Sequence, residues 1–185
     1  MRVLRSGFVF TALLLAIAAL GAATPGVTGN GISDSQIQRG FDIAPVPLDL
    51  TDKNKNLVGL GSYIVNSSAG CAGCHTTPFF LPGGDPHQGQ PEQINTTNYL
   101  AGGFPFGPFL EFPNITPDAN GLPAGHSLPD FIDIMRSGFT HHHPGLQQLL
   151  PWPEYRNMTD LDLRAIYEYL KAVPHAEPAP APPPP

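Results

Sequence analysis

An all-α fold is predicted: a small helical domain in which short helices alternate with long irregular loops. Three observations predict it. Apolar residues recur at helical spacing in three separate stretches, Leu57–Ile64, Leu128–Met135 and Leu163–Leu170. The chain of 185 residues holds 23 prolines and 20 glycines, which leaves little uninterrupted sequence for long elements. No alternation of strand and helix of the βαβ kind is visible. The length allows one domain once the flanks are set aside. A formal net charge of −6 gives no electrostatic support for a nucleic-acid partner.

Residues 1–23 read as a secretory signal. Arg2 and Arg5 give a positive start, Phe8–Leu20 is largely apolar, and Gly21-Ala22-Ala23 offers small residues for cleavage. The run falls short of the about 20 apolar residues a bilayer span needs, so a membrane contact is expected only if the segment stays uncleaved. Residues 24–53 are polar, with scattered Gly and Pro, and are expected to form an irregular N-terminal arm; Ile43-Ala-Pro-Val-Pro-Leu48 has the extended character proline imposes. The domain proper is expected over 54–173. Leu57, Leu60 and Ile64 fall at i, i+3 and i+7, so a helix is predicted to begin near Asn54 and to end before the Ser67-Ser68-Ala69-Gly70 turn.

That helix leads into Cys71-Ala72-Gly73-Cys74-His75. Two cysteines two residues apart, followed directly by histidine, have the pattern of a c-type haem attachment site. Each thiol adds to one haem vinyl group, and the two intervening residues set the span between them. His75, directly after Cys74, brings its imidazole under the iron as proximal ligand. One covalent haem is therefore the expected cofactor, with the helical domain wrapped around it. A bare Cys-x-x-Cys also suits a disulfide, a thioredoxin-like redox pair or half a zinc site. A four-ligand zinc site would need two further ligands, and the chain has no other cysteine.

Thr76–Gly125 is long and irregular, and a loop of that length needs a reason. Wrapping a haem supplies one, with Phe79, Phe80, Leu81, Tyr99, Leu100, Phe104, Phe106, Phe109 and Phe112 available to shield it. Asn114-Ile-Thr-Pro-Asp118 closes the loop; Asn114 and Thr116 can donate hydrogen bonds to a haem propionate, or the stretch can be a simple turn. Ser127 is placed to cap the next helix, whose apolar face is Leu128, Phe131, Ile134 and Met135 and whose stop is Gly138. Met135 is read as a core residue. The His141-His142-His143 run that follows can ligate a metal or lie in a solvated loop. The last helix is capped by Thr159 with Asp162 three residues on. It carries Leu163, Ile166, Tyr167 and Leu170 on one face and Asp160 four residues before Arg164, and it ends at Pro174. From Pro174 on, seven of twelve residues are proline, so 174–185 is expected to be an extended, disordered tail.

Cys71-Ala-Gly-Cys-His75, Asn114-Ile-Thr-Pro-Asp118, Met135-Arg-Ser-Gly138, Pro151-Trp-Pro-Glu-Tyr-Arg-Asn-Met-Thr-Asp160 and the helix Asp162–Lys171 occur in that order. Together they resemble a monohaem class I cytochrome c over about residues 55–173. The chain is most similar to the cytochrome domains that accompany periplasmic alcohol, sugar and aldehyde dehydrogenases. The resemblance implies an electron carrier rather than an enzyme, exported to the periplasm of a bacterium, where c-type haem is attached. It implies as redox partner a dehydrogenase, an oxidase or another cytochrome. It also implies that the helices either side of the domain meet closely, a contact Gly59 and Gly61 would permit. One position departs from the pattern. The methionine that commonly precedes the Pro-Trp pair and is the second iron ligand is here Leu150, which has no lone pair. Met158 is then the expected distal ligand if the Pro151–Asn157 loop is rearranged, with His141, His142 or His143, or an open position, as alternatives. Two other functions stay open. An open iron would suit a haem protein that binds a small ligand or reduces peroxide; the long arm and proline-rich tail would suit a haem-bearing structural or assembly subunit.

Overall fold

The computed structural model describes residues 33–106, 110–139 and 150–180. The signal segment, Phe109, His141–His143 and the last five residues of the tail lie outside these. Among the described residues the elements run α1 (Asp34–Asp42), α2 (Lys55–Tyr63), a π-helical turn (Ile64–Ser68), α3 (Cys71–His75), a 3-10 turn (Pro86–Gln88), β1 (Pro105–Phe106), β2 (Leu110–Glu111), α4 (Leu128–Ser137), α5 (Trp152–Tyr155) and α6 (Asp160–Ala172). The architecture is helical, with one antiparallel pair of two-residue strands. No described helix is long and apolar enough to cross a membrane.

The helix starts follow from side chains that satisfy the first backbone N–H groups. Asn54 accepts from the amides of Asn56 and Leu57, and Ser127 from that of Asp130. Thr159 and Asp162 form a reciprocal capping box at α6. Gly138, left-handed at φ 73°, ends α4. Asp160 does not pair with Arg164 four residues on; it meets Arg136 of α4 at 2.6 Å. Arg136 also reaches the Arg156 carbonyl. The interhelix contact therefore replaces the local one.

The core is the crossing of α2 and its π-helical continuation with α6. Val58, Leu60, Ile64 and Val65 from the first meet Leu163, Ile166, Tyr169 and Leu170 from the second, all buried. Gly61 and Ala165 let the backbones approach: a Cβ on Gly61 would stand 1.9 Å from the Ala165 carbonyl oxygen. Met135 is 5% exposed and belongs to this core, as its place on the α4 face predicted.

Two stretches differ from expectation. The irregular arm over 24–53 contains a helix, α1, packed on the other side of α2. Its apolar signal is sparse, Ile37 and Phe41 only, and tertiary contact holds it: Gly40 lies against Gly59, and the Ser62 hydroxyl donates to the Gly40 carbonyl at 2.6 Å. Val46 beyond it is buried, and the Asp49 amide donates to the Ala172 carbonyl at the end of α6. The beginning of the proline-rich tail is ordered against the domain as well. The Asn98 and Asn114 side-chain amides donate to the carbonyls of Glu177 and Ala176, and the His175 ring donates to the Pro117 carbonyl at 2.8 Å. Proline richness gave the extended shape but concealed these polar anchors.

Candidate functional site

The site is assembled by the backbone just before Cys71. The π-helical turn, closed by the Ala69 amide on the Ile64 carbonyl, widens the end of α2, and Gly70 at φ 63° then redirects the chain into α3. One buried polar network holds this turn to the rest of the domain. The Asn66 side-chain amide donates to the Ser62 carbonyl and hydroxyl and to the Tyr169 hydroxyl. The Tyr99 hydroxyl donates to Asn66 Oδ1 at 2.5 Å and lies 2.9 Å from that of Tyr169. Burial and the mutual proximity of the two phenols push Tyr99 well above its ordinary pKa.

Cys71 and Cys74 stand three apart on the single turn of α3, hence on one face of it, and both thiols are free. Cys71 is partly exposed and Cys74 exposed. The protein around Cys71 pushes its thiol up to about 12, mainly by burial. Among the described residues no group of three or more His, Cys, Asp or Glu side chains is placed to hold a metal ion.

His75 is held at both ends. Its Nδ1 lies 2.8 Å from the Pro113 carbonyl oxygen, which has no proton to give, so Nδ1 is the donor and Nε2 keeps its lone pair in the neutral ring. Its own carbonyl accepts from the Gly102 amide at 2.7 Å. The Phe112 ring stands edge-on to the imidazole at 5.8 Å between centroids. Burial lowers the His75 pKa against the opposing effect of the Pro113 carbonyl, so the ring stays neutral to a lower pH. Thr76, 1% exposed, accepts the Leu100 amide on its hydroxyl at 3.0 Å. On another side Tyr155 of α5 donates to the Ala69 carbonyl, and burial with the neighbouring thiols of Cys71 and Cys74 pushes it up to about 12.

The predicted site residues divide. Cys71, Cys74 and His75 form one constellation. Asn114 donates to the Ala176 carbonyl, and the Thr116 hydroxyl donates to Asn114 Oδ1 at 2.7 Å. Met158 lines a depression of about 350 Å³ with Gln36, Leu60, Tyr63, Ile64, Ser68, Leu161 and Asp162, and none of the three motif residues lines it. Its side chain is partly buried against the core. Leu150 packs against the core. Of the aromatic set, Tyr99 and Leu100 are fully buried, whereas Leu81 and Phe104 stay exposed. Sequence reasoning missed Pro113, Gly102, Thr76 and Tyr155, since two of them act through backbone groups that any residue carries.

The residues present fit a covalently held haem. Two free thiols sit on one helical face, and the adjacent imidazole has its tautomer fixed so that Nε2 is the nitrogen with a free lone pair. A Cβ at Gly73, between the cysteines, would meet nothing within 4 Å.

Comparison with known proteins agrees with this chemistry. The chain is 28% identical over 118 residues to the cytochrome c subunit of the quinone alcohol dehydrogenase of Gluconobacter oxydans, covering 64% of this chain and 22% of that subunit. It is 29% identical over 119 residues to the gluconate 2-dehydrogenase cytochrome c subunit of Pantoea cypripedii, covering 63% and 23%. It is 33% identical over 118 residues to a nicotinate dehydrogenase subunit of Pseudomonas putida, covering 63% and 9%. The chain thus spans less than a quarter of the length of each of these relatives. No family model and no solved structure matches it. The chain is accordingly similar to cytochrome c subunits of dehydrogenases.

Proposed function

We propose that this chain is a one-electron carrier holding one c-type haem through thioethers at Cys71 and Cys74, with His75 as proximal iron ligand. The observation that carries the reading is the pairing of two free, co-facial thiols with an imidazole whose Nδ1 is already engaged by the Pro113 carbonyl. When bound, the haem supplies exchange of a single electron between ferric and ferrous iron. The chain's own residues do the rest. His75 is kept neutral by burial, oriented by Pro113, and made more basic at Nε2 by the proton it shares. Phe112 packs edge-on to the imidazole, and Tyr155 is bonded to the Ala69 carbonyl just before the motif.

The distal ligand in this reading is one of His141, His142 and His143. Leu150 cannot ligate, and Met158 lines a depression between α1, α2 and α6 that none of the three motif residues lines, which favours the histidines over it. The haem-bearing unit extends past the expected 54–173 to include α1 and residues 174–180, which pack on it. The residue 1–23 segment supports export to a bacterial periplasm, and the names of the relatives support a dehydrogenase as electron partner. Leu150 favours one second reading, an iron open on its distal side that binds a small ligand.

A potentiometric titration followed in visible light, repeated under carbon monoxide, tests the proposal. A reversible one-electron transition that carbon monoxide leaves unchanged is the expected result. Rapid carbon monoxide uptake by the reduced protein overturns the carrier reading in favour of the second.

A further inference from the structure

The geometry points to Gly102 as the positioning residue for the His75 imidazole, acting on both ends of that residue at once. The inference rests on the haem reading above and deepens it. Gly102 donates its amide to the His75 carbonyl at 2.7 Å and pairs with Thr76 in an isolated parallel bridge, so it fixes the main chain from which the imidazole projects. The ring's other anchor, the Pro113 carbonyl, lies on a segment that runs directly against Gly102. The Gly103 amide donates to the Phe112 carbonyl at 3.1 Å, and the Ile115 amide to the Leu100 carbonyl at 3.0 Å. Gly102 stands between these two bonds with φ 78°, a conformation that an L side chain adopts only under strain.

Its bare α-carbon is what lets the Pro113 segment come so close. A Cβ there would stand 2.5 Å from the Phe112 carbonyl oxygen and from the Pro113 carbonyl carbon, and 2.7 Å from the Asn114 nitrogen. All three are backbone atoms, so a methyl group cannot be accommodated by a side-chain rotation; the 112–114 segment itself must move, and the Pro113 oxygen moves with it. The hydrogen bond to Nδ1 is the contact that orients a ligating imidazole and raises its basicity. Gly102 therefore sets the reach of that bond without touching the ring.

A glycine outside the clamp supplies the control. Gly121 has nearly the same φ, 75°, so alanine there meets the same backbone strain. Its Cβ would meet nothing within 4 Å. Gly102→Ala and Gly121→Ala are compared as haem-loaded proteins by two readouts: the reduction potential, and the exchange rate of the His75 Nδ1 proton by NMR. In Gly102→Ala the potential rises, because a less basic imidazole stabilises ferric iron less, and the proton exchanges about tenfold faster, the factor that loss of one hydrogen bond of ordinary strength produces. In Gly121→Ala both stay at the unmodified values even where stability falls. Equal changes in the two variants, or none in Gly102→Ala, overturn the proposal.

Should Gly102→Ala not fold, the unmodified protein still decides. The Gly102 amide and the His75 Nδ1 proton must both exchange slowly and through the same opening. A protected His75 proton beside an unprotected Gly102 amide overturns the clamp. Absence of covalent haem from the unmodified protein would remove the underlying haem reading, and the proton-exchange comparison, which needs no iron, would still decide the role of Gly102.

Discussion

Replacing Gly61 by alanine is expected to destabilise the protein, against the direction that helix propensity alone predicts. In an isolated helix the change would stabilise by about 1 kcal/mol. Here the new Cβ would stand 1.9 Å from the Ala165 carbonyl oxygen, 2.6 Å from its carbon and 2.7 Å from Tyr169 Cβ. Real Cβ contacts do not fall under 3.0 Å, so α2 and α6 must part by roughly 1 Å. A gap of that size forfeits about a quarter to a half of the dispersion well at each contact across the crossing. Leu60, Ile64, Leu163, Ile166 and Leu170 are buried there, each contributing about 1.5–3 kcal/mol, so the loss comes to about 2–7 kcal/mol. After the propensity gain, the net cost is about 1–6 kcal/mol, a large part of the stability of a small domain. Denaturant unfolding of the purified protein reads it directly as a lower midpoint at unchanged slope. A Gly61→Ala variant as stable as the parent, or more so, would refute the claim that this contact governs the packing of the two helices.

Other perturbations give distinct results. Tyr99→Phe removes the hydroxyl that donates to Asn66 Oδ1 and strands that part-buried acceptor, so stability should fall by about 1 kcal/mol in denaturant unfolding; an unchanged midpoint would show that the network does not hold the π-helical turn. Met158→Leu should cost less than about 1.5 kcal/mol and leave the visible spectrum of the haem-loaded protein unaltered, whereas a spectral change would return Met158 to the iron. His175 has its pKa raised by the Glu177 carboxylate at 2.8 Å and by the Pro117 carbonyl. Its contribution is fully present below the unfolded value of about 6.5 and is lost as pH rises through the higher folded value. The Ala176 amide, bonded to Thr116, should then exchange with solvent disproportionately faster above neutrality, and His175→Gln should abolish that step. Asp49 and Lys171 share the depression beside His175, so the comparison is made at constant ionic strength.

Much of this was legible in the sequence because it is written in side chains at fixed spacing. Thr159 with Asp162, Ser127, and the faces Leu57–Ile64 and Leu163–Leu170 located three helices and their caps, and Cys71, Cys74 and His75 stood out as one motif. Helix α1 was not legible: Ile37 and Phe41 are too few to show a period, and what holds them, Gly40 against Gly59, is a tertiary contact between residues without side chains. The anchoring of His75 was equally hidden, since it uses the carbonyl of Pro113 and the amide of Gly102. The partners of Asn114 and Thr116 were not legible either: nothing in the sequence said that residue 176, far along the chain, would return to accept from the Asn114 side-chain amide, or that the Thr116 hydroxyl would turn to Asn114 Oδ1.

The central claim is that Cys71 and Cys74 carry a covalent haem. Mass spectrometry of the protein expressed with export and haem-attachment machinery, denatured and extracted with acid acetone, tests it most directly. The expected mass exceeds that of the polypeptide by one haem, with the haem located by fragmentation on Cys71 and Cys74 and absent from the Cys71→Ala/Cys74→Ala variant. A polypeptide of bare mass with both thiols free for alkylation, and all haem colour lost to the acetone, would contradict it.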